Sequence, residues 1–171
     1  MTSRDSDRKV LSTIDLSERL RAPRSEVIVF TNGVFDLIHR GHVEYLSAAR
    51  SMGDVLVVGV NSDASVRRLE KGRGRPLVGQ ADRAIVLAAL HCVDYVCFFD
   101  EATPTKLIGQ LIPDVLVKGS DYDITQIEGR EIVQSNGGRV EVIPFLKGYS
   151  TTGLVRRIRE YQDYPPPNDS S

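Results

Sequence analysis

Two of the chain's three histidines, His39 and His42, stand three residues apart in the run Thr31-Asn32-Gly33-Val34-Phe35-Asp36-Leu37-Ile38-His39-Arg40-Gly41-His42. Residues at that spacing share one face at the start of a helix. A helix N-terminus carries partial positive charge and free N–H donors, so a phosphate is its natural guest. Imidazole donors beside it would follow charge onto phosphate oxygens. Gly33 permits a backbone geometry that brings N–H groups close to a ligand. Gly41, between the histidines, leaves room for a flat group above the turn. Spacing alone also fits two surface histidines. Zinc held by His39, His42 and Asp36 is a third reading, but it lacks a fourth ligand and leaves Gly41 without a use.

Three further segments carry chemistry-bearing types. Ser150-Thr151-Thr152 places three hydroxyls at a helix start, either a phosphate nest or plain capping by Ser150 or Thr151. Asp63 closes an apolar run through Asn61 and Ser62, where it meets a ligand hydroxyl or a metal, or caps a helix starting near Ala64. The stretch from Arg67 to Pro76 holds five cations (Arg67, Arg68, Lys71, Arg73 and Arg75) against the single acid Glu70, interleaved with Gly72 and Gly74. It reads as a mobile lid that neutralises phosphates, or as a solvated loop. Neither a Walker pattern nor a GxGxxG run is present.

These segments need elements to position them. Val27–Phe30, Val55–Val60, Val93–Phe99, Val115–Val117 and Val140–Ile143 are apolar and rich in β-branched residues, the pattern of buried strands. Helical spacing falls between them, at Gly41–Met52, Ala81–Leu90, Thr103–Leu111 and Glu128–Asn136, and again after the last strand at Gly153–Tyr161. Gly137-Gly138 stops the fourth of these helices. Alternating strands and helices with continuous apolar strands imply an α/β domain: one five-stranded parallel sheet, Rossmann-like, with helices on both faces. In such sheets ligands bind beyond the carboxyl ends of the strands, near the switch point of the strand order. Every chemistry-bearing segment above follows a strand. Residues 1–24 form an N-terminal extension, loose over its first dozen residues, then a short helix from about Ser12 to Arg21 ended by Pro23. Residues 25–160 form the domain, and the Pro-rich 161–171 segment reads as a disordered tail.

Composition narrows the class. The chain has 171 residues, enough for one domain with its own core. Lys plus Arg total 22 and Asp plus Glu 23, a formal charge of −1, which speaks against a nucleic-acid partner or a basic membrane-surface protein. The longest apolar run, Ala84–Leu90, is far short of the ~20 residues of a membrane span. The N-terminus is charged and has no apolar stretch of the signal-peptide kind. Cys92 and Cys97 are too few for a disulfide framework and read as core residues, which fits a reducing cytoplasm.

Thr31-x-Gly33-x-Phe35-Asp36-x-x-His39-x-Gly41-His42 resembles the HxGH signature of the nucleotidyltransferase superfamily, in its cytidylyltransferase-like branch. Class I aminoacyl-tRNA synthetases share the HxGH but need a far longer chain and a second, lysine-rich signature. Val60-Asn61-Ser62-Asp63, Arg75-Pro76 followed by Asp82-Arg83, Leu116 to Tyr122 and Ser150-Thr151-Thr152 make the chain similar to the heptose 1-phosphate adenylyltransferases of ADP-heptose synthesis. The similarity spans about Val27 to Arg159. Many members are fused to a sugar kinase, so the resemblance implies a separate kinase as the source of the phosphorylated sugar. Val34 stands where many relatives have cysteine.

The resemblance implies transfer of AMP from ATP to D-glycero-β-D-manno-heptose 1-phosphate, giving ADP-heptose and pyrophosphate for a surface glycan such as lipopolysaccharide. It implies Mg²⁺ carried by ATP, with no protein-bound metal, and a homodimer. His39, His42 and Lys71 take the catalytic roles. Thr31, Asn32, Gly33, Phe35, Gly41, Lys118, Gly119, Asp121, Ser150, Thr151 and Thr152 bind the nucleotide. Asp36, Asp63, Arg75 and Arg83 bind the second substrate. Rivals of the same chemistry are a glycerol-3-phosphate cytidylyltransferase and an archaeal-type FAD synthetase. A nucleotide-binding regulatory module without turnover is the alternative of another class.

Overall fold

The computed structural model describes residues 3–69, 74–120 and 124–162. Five strands, β1 (Ile28–Gly33), β2 (Val55–Asn61), β3 (Tyr95–Phe99), β4 (Val115–Gly119) and β5 (Arg139–Ile143), form one sheet. All pairings are parallel and the order is β3-β2-β1-β4-β5. The expected α/β architecture is therefore present, doubly wound, with its switch point between β1 and β4.

Alternation along the strands builds two apolar layers. Val29, Val58, Val60, Val115 and Val117 face α3 (Arg40–Arg50) and α5 (Gln80–Ala88), through Leu46, Ala49, Leu87 and Ala88. Ile28, Phe30, Val57, Cys97 and Leu116 face the other way, against α2 (Thr13–Arg19), α6 (Thr105–Leu111) and α7 (Arg130–Ser135). Burial pushes the Cys97 thiol up to about 12, so it is an inert core side chain. Cys92 is half-buried and packs against the first layer.

Helix caps agree with local chemistry. Ser12 caps α2, accepting from the Asp15 amide. Ser62, rather than Asp63, caps the short α4 (Asp63–Arg68), accepting from the Ser65 amide. A 3-10 turn at Ile124–Gln126 was not signalled by any periodicity.

The N-terminal segment differs from the loose stretch expected of it. It begins with helix α1 (Ser3–Asp7), and Val10 then bridges Val96 in parallel at the edge of β3. Lys9 Nζ donates to the Val93 carbonyl at 2.7 Å, and Leu16 and Leu20 enter the second apolar layer. The apolar pair Val10-Leu11 after a run of charges is too short to carry a strand signal, whereas an open sheet edge gains from any backbone that pairs with it. Helix α8 (Thr151–Gln162) runs to Gln162; the rest of the 161–171 segment lies outside the described residues.

Candidate active site

The pairing of β1 with β4 covers only Val29 with Val115 and Phe30 with Leu116. Beyond those residues, side chains bridge the two strands. Tyr45 donates its hydroxyl to the Val117 carbonyl at 3.2 Å and sits 2.7 Å from the Thr31 hydroxyl. Lys118 Nζ donates to the side-chain carbonyl of Asn32. The crevice of a doubly wound sheet opens at such a point, and a cleft of about 460 Å³ lies there.

The turn from β1 into α3 forms one wall. His39 is the N-cap of α3, and its Nδ1 accepts the His42 amide at 3.3 Å. That bond leaves the proton of the neutral His39 ring on Nε2. The two imidazoles stack with centroids 3.8 Å apart and 15° between planes. The Phe35 ring stands edge-on to His42 at 5.4 Å. Burial lowers the pKa of His39 below the ordinary histidine value, with its own backbone opposing. Burial first, then the neighbouring His39, lowers His42 to about 4, and the backbone of Leu37 opposes this only weakly. Both rings are therefore neutral at pH 7 in the free cleft. Gly41 is tightly enclosed: a Cβ there would lie 3.0 Å from Tyr149 Cβ and 3.1 Å from the His39 ring. The room expected above Gly41 is taken by these two side chains.

Asp36 is buried in the same wall. Arg75 Nη1 donates to its Oδ2 at 2.6 Å, and the Leu77 and Val78 amides donate to Oδ1 at 2.8 and 2.9 Å. Burial alone would raise this carboxyl, but the Arg75 hydrogen bond, the two amides and the Arg75 charge outweigh it and hold the pKa below the usual value. Asp36 is 5% exposed and already accepts three hydrogen bonds, so it offers little surface to a ligand's hydroxyl. Its pairing instead presents Arg75, which lines the cleft.

The opposite wall is the segment from Phe145 into α8. Ser150 accepts the Gly153 amide at 3.0 Å and so caps the helix, while Thr151 and Thr152 face the cleft with it. Asn32, Gly33 and Phe35 contribute from β1, and Lys118 and Gly119 from β4. The Phe145 ring lies directly over Gly119, where a Cβ would come within 2.0 Å of it.

Three expected ligand residues do not face the cleft. Thr31 is fully buried and spends its hydroxyl on Tyr45. Arg83, which the resemblance assigns to the second substrate, is 1% exposed. Its Nε donates to Val78 O at 3.0 Å, its Nη1 to Val34 O, and its Nη2 to Asn61 O and Asp63 Oδ1, both at 2.8 Å. Asp63 is correspondingly engaged by Arg83. An arginine at a helix start reads as surface unless four acceptors from distant segments converge on it. Lys71 and Asp121 lie outside the described residues. Sequence reasoning did not pick Tyr45, Val66, Phe145, Leu146 or Tyr149 as cleft residues; each reads as ordinary core or loop.

Among the described residues no three His, Cys, Asp or Glu side chains group so as to hold a metal. Among these, Asp36 and Asp63 are both paired to arginine.

A doubly wound sheet thus brings a histidine pair at one helix start and hydroxyls at another to the switch-point crevice, an arrangement able to receive phosphate groups. The chain belongs to the cytidylyltransferase-like family, whose model matches residues 30–164. It is 56% identical over 160 residues to the "Bifunctional protein HldE" of Geotalea uraniireducens, covering 91% of this chain and 32% of that protein. It is 51% identical over 154 residues to the protein of the same name from Campylobacter concisus, covering 90% and 32%. The chain thus spans about a third of the length of the curated relatives it matches. Among solved structures, the lipopolysaccharide core biosynthesis protein of Thermoplasma volcanium superposes with a TM-score of 0.60 at 28% identity, over 74% of this chain and all of that one. Pantoate–β-alanine ligase of Francisella tularensis shares the fold, with a TM-score of 0.56 at 14% identity over 90% of this chain and 77% of that one.

Proposed function

We propose that this chain transfers AMP from ATP to a sugar 1-phosphate, D-glycero-β-D-manno-heptose 1-phosphate, releasing pyrophosphate and ADP-heptose. The observation that carries the reading is the stacked His39–His42 pair facing Ser150, Thr151 and Thr152 across one cleft at the switch point. Identity above 50% to proteins named HldE supports the heptose substrate. The name of the Thermoplasma volcanium relative supports a destination in surface glycan synthesis.

The chemistry asks little covalent help. A phosphate monoester has a second pKa near 6, so the attacking oxygen is already ionised at pH 7 and no general base is required. It attacks the α-phosphorus of ATP in line, one P–O bond forms, and the bond to pyrophosphate breaks. The barrier is electrostatic, since two polyanions meet and charge moves onto the leaving group. His39 offers its Nε2–H to that charge, and His42 sits stacked beside it. A polyanion in the cleft favours the protonated form of both rings, so each becomes a stronger donor as the substrate settles. The N-terminus of α8, with Thr151 and Thr152, receives the β- and γ-phosphates. Arg75, aimed by Asp36, meets the sugar phosphate. Lys118 with Asn32 lies where ribose or base would rest, together with Gly33, Phe35 and Gly119. Lys71 and Asp121 belong to the same reading by resemblance. Mg²⁺ travels with the triphosphate and screens its charge.

The test is a matrix of ATP, CTP, GTP and UTP against heptose 1-phosphate, glycerol 3-phosphate and FMN, read by pyrophosphate release. ATP with heptose 1-phosphate should dominate. Release with CTP and glycerol 3-phosphate, or with ATP and FMN, would transfer the chain to a sister activity. Tight ATP binding with no release against any acceptor would make it a regulatory module. A homodimer and a cytoplasmic site of action complete the reading; light scattering of the purified protein checks the first.

A further inference from the structure

The guanidinium of Arg83 spends four of its five N–H donors on Val78 O, Val34 O, Asn61 O and Asp63 Oδ1. Its side chain has no exposed surface. These acceptors come from four places: the segment before α5, the turn after β1, the end of β2 and the start of α4. All four lie at the carboxyl edge of the sheet; Val34 lines the cleft, and Asn61, Asp63 and Val78 do not. Val34, whose carbonyl is held, immediately precedes Phe35, which has φ of 50°. A bulky residue in that region is strained and persists only where its surroundings over-determine it. The Phe35 ring in turn covers Gly33 and stands edge-on to His42. A continuous set of contacts thus runs from Arg83 through Val34 and Phe35 to the His42 ring.

We infer that Arg83 is the positioning residue of the histidine pair: it pins the Val34 carbonyl, fixes the left-handed turn at Phe35, and so holds His42 in its half-buried, stacked place. This departs from the phosphate-binding role that the resemblance implies. The kinetic part rests on the adenylyl-transfer reading above; the spectroscopic part does not.

Arg83→Lys tests it. Lysine keeps the charge but cannot reach acceptors on four segments from one planar fork. Proton NMR titration of the imidazole C–H signals follows the three histidines one by one. In the parent protein His42 titrates at about 4, because it is half-buried and stacked beside His39. In Arg83→Lys the His42 midpoint should move up by one unit or more as the ring loses its burial. With ATP and heptose 1-phosphate, kcat should fall at least tenfold while both KM values stay within threefold. A KM for the sugar phosphate raised tenfold or more, with the His42 midpoint unmoved, would return Arg83 to substrate contact and overturn the inference. An unmoved midpoint with unchanged kcat would overturn it too. Should Arg83→Lys fail to fold, Asp63→Asn carries the same readouts. It keeps an acceptor for Nη2 but removes the charge, and a smaller upward shift of the His42 midpoint is expected; no shift there would defeat the inference. If no nucleotide and acceptor pair turns over at all, the titration still decides the positioning role.

Discussion

The two walls of the cleft are built on opposite principles. The wall from β1 into α3 is closed and densely bonded: Asp36 accepts three hydrogen bonds, Arg83 donates four, and the histidines stack. The wall from Phe145 into α8 is open. Phe145 is 48% exposed, Leu146 36% and Tyr149 40%, and the segment is tied back by long bonds, Phe145 N to Ser120 Oγ at 3.4 Å and Tyr149 N to Leu146 O at 3.4 Å. Groups that stabilise developing charge act best when they do not reorganise during the reaction. Groups that admit a large substrate and release a product must be able to move. The closed wall suits the first task and the open wall the second.

The histidine pair is the sharpest break of that contrast. Replacing either His39 or His42 by alanine should lower kcat by roughly 10²–10³, the range for one lost oxyanion-type donor. ATP affinity should change far less, because the donors matter most where charge develops. The double variant should cost less than the product of the singles, since both rings serve one cluster of oxygens. Steady-state kinetics on the three variants checks this, and turnover within about threefold of the parent in either single would remove that residue from catalysis.

Gly41 is where the walls meet, so Gly41→Ala should separate stability from activity. The new methyl must push either His39 or Tyr149 aside by a few tenths of an ångström. An alanine inside α3 also gains up to ~1 kcal/mol of helix propensity. The melting temperature should therefore hold or rise, while kcat falls about tenfold through misplacement of His39. A fall in both would mean that the contact at Gly41 is structural only.

How far this was legible in the sequence differs between the two walls. The strands and the helix starts were readable, because β-branched runs are local and a capping hydroxyl or imidazole acts within one turn. His39, His42, Gly41 and Ser150 to Thr152 follow from those local signals, and the cleft brings them together. Arg83 was not readable, because its acceptors are separated from it by up to 49 positions. Asp36 looked free for a ligand for the same reason: its partners Arg75, Leu77 and Val78 arrive from a distant loop. Phe145 carries no signal of its own; its place over Gly119 depends on how the chain leaves β5. The N-terminal strap on β3 was missed because edge pairing is made by backbone, which has no sequence pattern.

The open wall should respond differently. Tyr149→Ala removes an exposed ring that approaches Gly41 and lies 6.3 Å from the His39 ring. Its melting temperature should be nearly unchanged, as for most surface substitutions within about 0.5 kcal/mol. The KM for ATP should rise about three- to fivefold with kcat largely kept, because contacts equal in ground and transition states act on KM alone. Isothermal titration with a non-hydrolysable ATP analogue checks the binding part. An effect on kcat larger than on KM would show that this wall also shapes the transition state.

The pH dependence of stability between pH 7 and pH 5 should come from the closed wall. In the folded chain His42 titrates at about 4 and His39 below its ordinary value. In the unfolded chain both return to about 6.5. Between those limits the unfolded state binds more protons, so stability rises with pH and is lost as the pH falls from about 6.5 towards 4. The lowered Asp36 carboxyl acts in the same direction but only at lower pH, its contribution being lost as the pH falls through the folded value, beneath 3.8. A comparison of pH 7 with pH 5 therefore isolates the histidines. His42 should contribute a loss of about 2 kcal/mol over that span, or roughly 4–8 °C in melting temperature for a chain of this size. His42→Gln should flatten most of the slope, while Tyr149→Ala should leave it intact. Bound nucleotide should shrink the slope as well, because its phosphates favour the protonated rings and raise their folded-state pKa. Calorimetry at the two pH values, with and without ATP, reads all four cases; a flat profile in the free parent protein would mean that the histidine stack is not buried as the cleft geometry requires.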